Sequence, residues 1–267
     1  MHLLNNFKAQ AIIFDKDGTL IDFDAMWGNW TLLLADRMKA SMNLDIRQAL
    51  CARYGYDLVR CKILPDGKLT CTPMWRLHEL MVEVVESLGL SPAEASQAVD
   101  KAWCVPDPVS LAKPFTDLQK LFTNIHKLGI KIAIATTDDR HPTEAMLEAF
   151  GVRKLVSALV CADDGVQAKP APHMVLTLCE RMKIDPGKTI VIGDTVADLQ
   201  MARLANAGYI IGVLSSVGSL PNLTPLADIL IDTIDTLQQS FISKEQGEQQ
   251  LPESVEGLAG LHPDPAY

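Results

Sequence analysis

Four short apolar runs, each closing on polar residues, constrain this chain more than any other feature. They occupy residues 11–14 (AIIF), 130–136 (IKIAIAT), 158–162 (ALVCA) and 189–194 (TIVIGD), and a fifth strand-like stretch, YIIGVL, begins at Tyr209. Runs this short, apolar and rich in β-branched residues fit strands that are covered on both faces. Helical patterns separate them. PFTDLQKLFTNIHKLG places Leu118, Leu121, Phe122, Ile125 and Leu128 on one stripe before Gly129, and HMVLTLCERMKI repeats the spacing with Val175, Leu178 and Met182. DLQMARLANAG adds Leu199, Ala202 and either Leu204 or Ala205 before Gly208. Alternating strands and amphipathic helices predict βαβ units and a parallel sheet, an α/β fold.

Residues 24–112 break the alternation and read as mostly helical. Trp27, Trp30, Leu33, Leu34 and Met38 recur at helical spacing, as do Leu77, Leu80, Met81, Val84, Val85 and Leu88. Ser91 and Glu94 form a capping-box pattern with Pro92 at the first helical position. PDGK at 65–68 reads as a turn. The expected division is a core of residues 1–23 and 113–242, a helical insertion of residues 24–112, and a flexible tail of residues 243–267, which is polar, rich in Pro and Gly and without periodicity.

The 267 residues are 48% hydrophobic and 21% charged, enough for a large core. A formal charge of −9 argues against binding to a nucleic-acid backbone, which calls for a basic face. Six cysteines without a CxxC pair are expected as reduced thiols. No signal-peptide pattern opens the sequence and no apolar run is long enough to span a bilayer. The expectation is a cytoplasmic protein, a monomer or homodimer with no membrane association.

The chemistry concentrates where the apolar runs end. The first runs into Asp15 and Asp17, then a Gly18-Thr19 turn; the second into Thr136, Thr137 and Asp138; the fourth into Asp194 and Asp198; and Lys169 stands in AKPAP. In open α/β sheets the loops at the carboxyl ends of the strands converge on one crevice, where ligands bind. Two acids one residue apart, with a glycine turn behind them, suit a hard cation. Each residue has a plainer reading. Asp15 or Asp17 fits a strand-ending helix cap, Thr136 a strand terminus, Lys169 a solvated surface lysine, and Asp194 or Asp198 a cap on the following helix. It is the ordered set that favours a site.

FDKDGTL, IAIATT, KPAP and VIGDTVAD together resemble, in order and spacing, the four motifs of the haloacid dehalogenase-like hydrolase superfamily, in its phosphoglycolate phosphatase-like branch. The resemblance covers about residues 10–240. It implies a Rossmann-like parallel-sheet core with helices on both faces and an inserted α-helical cap, acting as a Mg²⁺-dependent phosphatase of a small phosphorylated metabolite, with 2-phosphoglycolate the leading candidate. Asp15 is then the nucleophile that forms an aspartyl-phosphate, and Asp17 the general acid and base. Thr136, through its hydroxyl and amide, Thr137 and Lys169 hold the phosphoryl group. Mg²⁺ takes the Asp15 carboxylate, the Asp17 carbonyl and Asp194, with Asp198 at or just behind it. Thr137 stands where many relatives carry Asn, and ANAG at 205–208 replaces the more usual AGA. In the insertion, Arg60, Lys62, Arg76 and His78 are the polar candidates for substrate contact, while Trp27 and Trp30 read as packing residues.

Competing readings within the superfamily are a sugar phosphomutase, a carbon-halogen hydrolase and a phosphonate-cleaving enzyme. DGTL favours the phosphatases over the mutases, Asp17 argues against the dehalogenases, and no insertion lysine stands out for Schiff-base chemistry. A reading from another class is a binding or regulatory protein on the same fold, with its acidic tail contacting a partner.

Overall fold

The computed structural model describes residues 7–64, 67–70, 72, 74–107, 109–215 and 220–239. The expected turn at 65–68 is described only in its second half, and the expected tail of 243–267 lies outside the described residues.

Six parallel strands form the main sheet: β1 (Ala11–Phe14), β4 (Lys131–Ala135), β5 (Val156–Val160), β6 (Thr189–Gly193), β7 (Tyr209–Val213) and β8 (Ile229–Ile231), in the order β5-β4-β1-β6-β7-β8. Between β1 and β4 lie a two-residue hairpin, β2 (Tyr56–Asp57) and β3 (Lys62–Ile63), and the helices α1 (Phe23–Met42), α2 (Arg47–Tyr54), α3 (Met74–Ser87) and α4 (Pro92–Ala102). Thereafter helices connect the sheet strands: α5 (Leu118–Lys127), α6 (Arg140–Ala149), α7 (His173–Met182), α8 (Val196–Leu204) and the short α9 (Leu220–Leu223).

The period-2 alternation of β1 explains the two-sided core. Ile12 and Phe14 face a cluster with Leu121, Phe122 and Ile125 of α5 and Met146 and Leu147 of α6. Ala11 and Ile13 face the other way, onto Met174, Val175 and Leu178 of α7 and Leu199 of α8. The α/β expectation with helices on both faces therefore holds. Helices α1–α4 bury a separate cluster of their own, built on Trp30, Leu34, Met38, Leu80, Val84 and Val99. The capping box at Ser91 and Glu94 is formed.

Two expectations shift in detail. The third run pairs as Val156–Val160, two residues earlier than its most apolar stretch suggests, because Cys161 and Ala162 leave the ladder to enter a 3₁₀ turn. Helix α8 ends at Leu204, with Ala205 buried and Leu204 exposed, and Asn206 takes the left-handed conformation at φ 55. Gly208 serves close packing instead, since a Cβ there would lie 2.1 Å from the carbonyl oxygen of Gly187.

Strand order places the crevice. From β1 the chain winds outward through β4 and β5, then crosses back to the other side of β1 and winds through β6, β7 and β8. This reversal puts the carboxyl ends of β1, β4 and β6 at a topological switch point, where loops diverge and leave a ligand crevice.

Candidate active site

Asp15 follows the last residue of β1, and its amide donates to the carbonyl of Ile192 on β6 at 2.8 Å. The sheet itself thus fixes its backbone. The chain then turns through Gly18, at φ 83, whose amide donates to the Ile21 carbonyl at 2.7 Å. A left-handed φ at this position favours glycine. The turn lets Thr19, fully buried, donate its hydroxyl to Asp194 Oδ1 at 3.0 Å. Asp194 itself follows β6, and Thr195 after it caps α8.

Lys169 comes from the loop before α7. Its ammonium bonds Asp15 and lies 2.5 Å from Asp198 Oδ1, so one buried cation ties two acids from different strand ends. Asp198 also completes a capping box, its Oδ2 accepting from the Thr195 amide at 3.1 Å while Thr195 Oγ1 accepts from the Asp198 amide at 3.2 Å. The helix-cap reading of Asp198 is therefore correct as far as it goes. Gly193 makes this possible, since any Cβ there would lie 2.3 Å from Asp198 Cβ.

The oxygens of Asp15, Asp194 and Asp198 gather within 4.8 Å of one another, all three residues buried. The side chain of Asp17 is not in that group. It points to Lys16, whose ammonium sits 2.7 Å from Asp17 and 2.8 Å from Asp138. Lys16 is only 2% exposed and was not among the residues the sequence singled out. Its sole sequence signal is a charge inside an otherwise apolar strand ending, beside two acids. Thr136 follows β4, and its amide is spent on the Val160 carbonyl of β5 at 3.0 Å. Only its hydroxyl, which accepts from the Asp138 amide at 3.1 Å, faces the loop chemistry. The expected amide contact to a phosphoryl group therefore does not come from Thr136.

These residues line one cavity of about 720 Å³ that includes Asp15, Asp17, Thr136, Thr137, Lys169, Asp194 and Asp198. The helical segments supply Phe23, Trp27, Leu69, Thr72 and Met74 to its other side. Trp30 is fully buried and its indole donates to the Cys104 carbonyl, as the packing expectation has it, whereas Trp27 reaches the cavity. Arg60, Lys62, Arg76 and His78 are paired with Asp57, Asp24, Glu79 and Asp100 and do not line it.

The electrostatics follow from crowding acids away from water. Burial, with Asp198 adding repulsion, pushes Asp15 up to about 7 against the pull of Lys169. Asp194 is raised for the same reasons, burial first and then Asp15 and Asp198, with the Thr19 hydrogen bond opposing. Burial also raises Asp17, only partly offset by Lys16. Burial alone would lower Lys16 and Lys169, but their carboxylate partners outweigh it and hold both above the usual lysine value. Three buried carboxylates with converging oxygens match the donor set of a hard divalent cation, which would bring down the raised proton affinities of Asp15 and Asp194.

The family model described as haloacid dehalogenase-like hydrolase matches residues 9–206. The chain belongs to the haloacid dehalogenase-like hydrolase family. Among similar proteins, the N-acetylmuramic acid 6-phosphate phosphatase of Pseudomonas aeruginosa is 28% identical over 209 residues, 75% of this chain and 80% of that one. The phosphoglycolate phosphatase of Agrobacterium fabrum is 24% identical over 87% of this chain and 92% of its own. A Thermotoga maritima structure assigned as a β-phosphoglucomutase aligns with a TM-score of 0.62 at 19% identity, covering 88% of this chain and 99% of that one, and shows that the two share a fold.

Proposed function

We propose that this hydrolase is a Mg²⁺-dependent phosphatase acting on a small phosphorylated metabolite through an aspartyl-phosphate on Asp15. The observation that carries the reading is the buried convergence of Asp15, Asp194 and Asp198 around Lys169, with Asp17 across the same cavity. The phosphatase names of the two similar proteins support it.

Asp15 attacks phosphorus as the bond to the leaving oxygen breaks, and Asp17 gives that oxygen its proton. Asp17 then takes a proton from a water whose oxygen attacks phosphorus, releasing phosphate and restoring Asp15. Its raised proton affinity suits the first, acidic half of that cycle. Lys169 favours the ionised form of Asp15 by pairing and offsets the charge of the phosphoryl oxygens, while the Thr136 hydroxyl and Thr137 orient them. Asp15, Asp194 and the Asp17 carbonyl would hold Mg²⁺, with Asp198 beside it. When bound, the cation supplies charge neutralisation at the phosphoryl oxygens.

The same reading takes residues 24–112 as a cap over a core of 1–23 and 113–242, and the protein as a cytoplasmic monomer or homodimer whose partner is its small-molecule substrate. No described helix is long and apolar enough to cross a membrane. Phosphate release from 2-phosphoglycolate, sugar phosphates, nucleotides and pyrophosphate, with and without Mg²⁺, tests the function. Turnover of one compound that needs Mg²⁺ and is lost in Asp15→Asn is the expected result. Folded protein that releases phosphate from none of them ends this reading, and conversion of a sugar 1-phosphate into its 6-phosphate without release replaces it with the mutase.

A further inference from the structure

The side of the cavity facing Asp15 is built by the helical segments, and its chemistry is lopsided. Phe23, Trp27, Leu69 and Met74 are apolar, and Thr72 is the one polar residue that these segments contribute among the described residues. Phe23 and Trp27 lie four residues apart on α1, on one helix face, with ring centroids 5.9 Å apart. Trp27 packs edge-on against Trp30 at 5.5 Å, and Trp30 stacks on Tyr54 at 6.1 Å. The aromatic wall is thus anchored in the core of the helical block and is preorganised.

No described cation of this block reaches the cavity. Arg60, Lys62, Arg76 and His78 each pair with an acid of the same block, and Lys169 at the floor, like the buried Lys16 that does not line the cavity, is already shared between carboxylates. Two further charges line the cavity, Asp138 and Asp139, and both are negative. A carboxylate on the leaving group would lose its water there without gaining a positive partner, which is strongly unfavourable. The volume of about 720 Å³ lies in the range that holds drug-sized ligands, far beyond a two-carbon acid.

We infer that the leaving group is an uncharged ring-bearing alcohol that packs against Trp27 and Phe23, and not a small carboxylate-bearing alcohol such as glycolate. This rests on the phosphatase reading above and narrows it. Ring faces, whether the C–H face of a sugar or an aromatic plane, gain from an indole wall what a glycolate cannot. It also gives Trp27, at the edge of the core in which Trp30 is buried, a reason to face the cavity. Its indole N–H is buried without a hydrogen-bond partner among the described residues, unlike that of Trp30.

The test compares kcat/KM for N-acetylglucosamine 6-phosphate, phenyl phosphate and 2-phosphoglycolate in the full chain, in Trp27→Ala and in Trp27→Phe. The expected result is that one or both ring esters exceed 2-phosphoglycolate at least about a hundredfold, and that the ratio falls at least about tenfold in Trp27→Ala, through KM, while Trp27→Phe keeps most of it. Preference for the sugar ester over phenyl phosphate, or the reverse, distinguishes the two kinds of ring. Turnover of 2-phosphoglycolate equal to or above both ring esters overturns the inference, as does a ratio unchanged in Trp27→Ala. If none of the three esters is turned over, the wider panel above decides the phosphatase reading separately. Equilibrium binding of the same three compounds to Asp15→Asn, read by tryptophan fluorescence against the Trp27→Phe background, then decides the inference by the same order of affinities.

Discussion

Lys16 sets two requirements that pull against each other. A lysine 2% exposed is costly to bury unless its charge is matched, and here it is matched twice, by Asp17 at 2.7 Å and Asp138 at 2.8 Å. It therefore fixes the side chain expected to move the proton. Lys16→Met is expected to lower kcat at least about tenfold with a smaller change in KM, with Lys16→Arg recovering part of the loss. Loss of the ammonium also lets Asp17 rise further, so the limb of the kcat profile that depends on its protonated form moves to higher pH. An unchanged profile with a uniform loss of rate would reduce Lys16 to packing. Asp15 gives a second pH effect. Its folded value, about 7, stands above the ordinary 3.8, so the folded state holds a proton that the unfolded state releases between those pH values. Its contribution to stability is present below about pH 4 and is lost as pH rises through about 7. In chelator, the Tm advantage of the wild type over Asp15→Asn should shrink across that window, and added Mg²⁺ should raise Tm more at pH 7.5 than at pH 5. The acids, Thr136 and Lys169 were legible because each sits at a strand end or loop in a recurring order. Lys16 and Thr19 were not, because sequence spacing does not say which side chains turn inward once Gly18 reverses the chain.

At the scale of elements, the junction of β6 and α8 carries the most function per residue. Gly193 ends the strand, Asp194 joins the acidic cluster, Thr195 caps the helix and Asp198 answers the cap while touching Lys169. Thr195→Ala removes one side of the box, which is expected to cost about 1 kcal/mol in stability by urea denaturation. It should also lower activity, because the Asp198 carboxylate loses its restraint next to Lys169, and Thr195→Ser should restore both. Loss of stability with full activity would show that the box serves the helix alone. The helical and strand periodicities read from sequence located the connecting helices α5, α7 and α8, though not α6, and five of the six sheet strands. They did not mark Ile229–Ile231, three residues at the half-buried edge of the sheet, too short to show a period. The Tyr56–Asp57 and Lys62–Ile63 hairpin was equally hidden. It is held by a long-range contact, with buried Asp24 accepting from the Ile63 amide and the Lys62 ammonium, both at 2.7 Å.

The described residues pack around the sheet and, separately, within the helical block, and two neighbouring crossings join these parts. The chain leaves the sheet unit after Ile21 and returns before Phe115, and the crossings run side by side, with the Asp22 amide on the Lys113 carbonyl at 2.8 Å and the Phe115 amide on the Leu20 carbonyl at 3.1 Å. Because the two ends are already neighbours, closing them with a few residues costs little chain entropy. The clusters around Phe14 and Ile13 draw nothing from the cluster around Trp30, so the sheet unit keeps its own core when the other is removed. Replacing residues 24–112 by a short Gly/Ser linker is therefore expected to leave a protein that unfolds in one cooperative transition and is stabilised by Mg²⁺. Every acid, both lysines and Thr136 remain in it, whereas Phe23 alone survives from the apolar wall. Hydrolysis of phenyl phosphate and of 2-phosphoglycolate by this core should then converge to within a few-fold, since what distinguishes them is gone. A core that fails to fold would contradict the independence of the two units, and a core that folds yet keeps the full chain's preference would place selectivity in the strand-end loops and not in the aromatic wall.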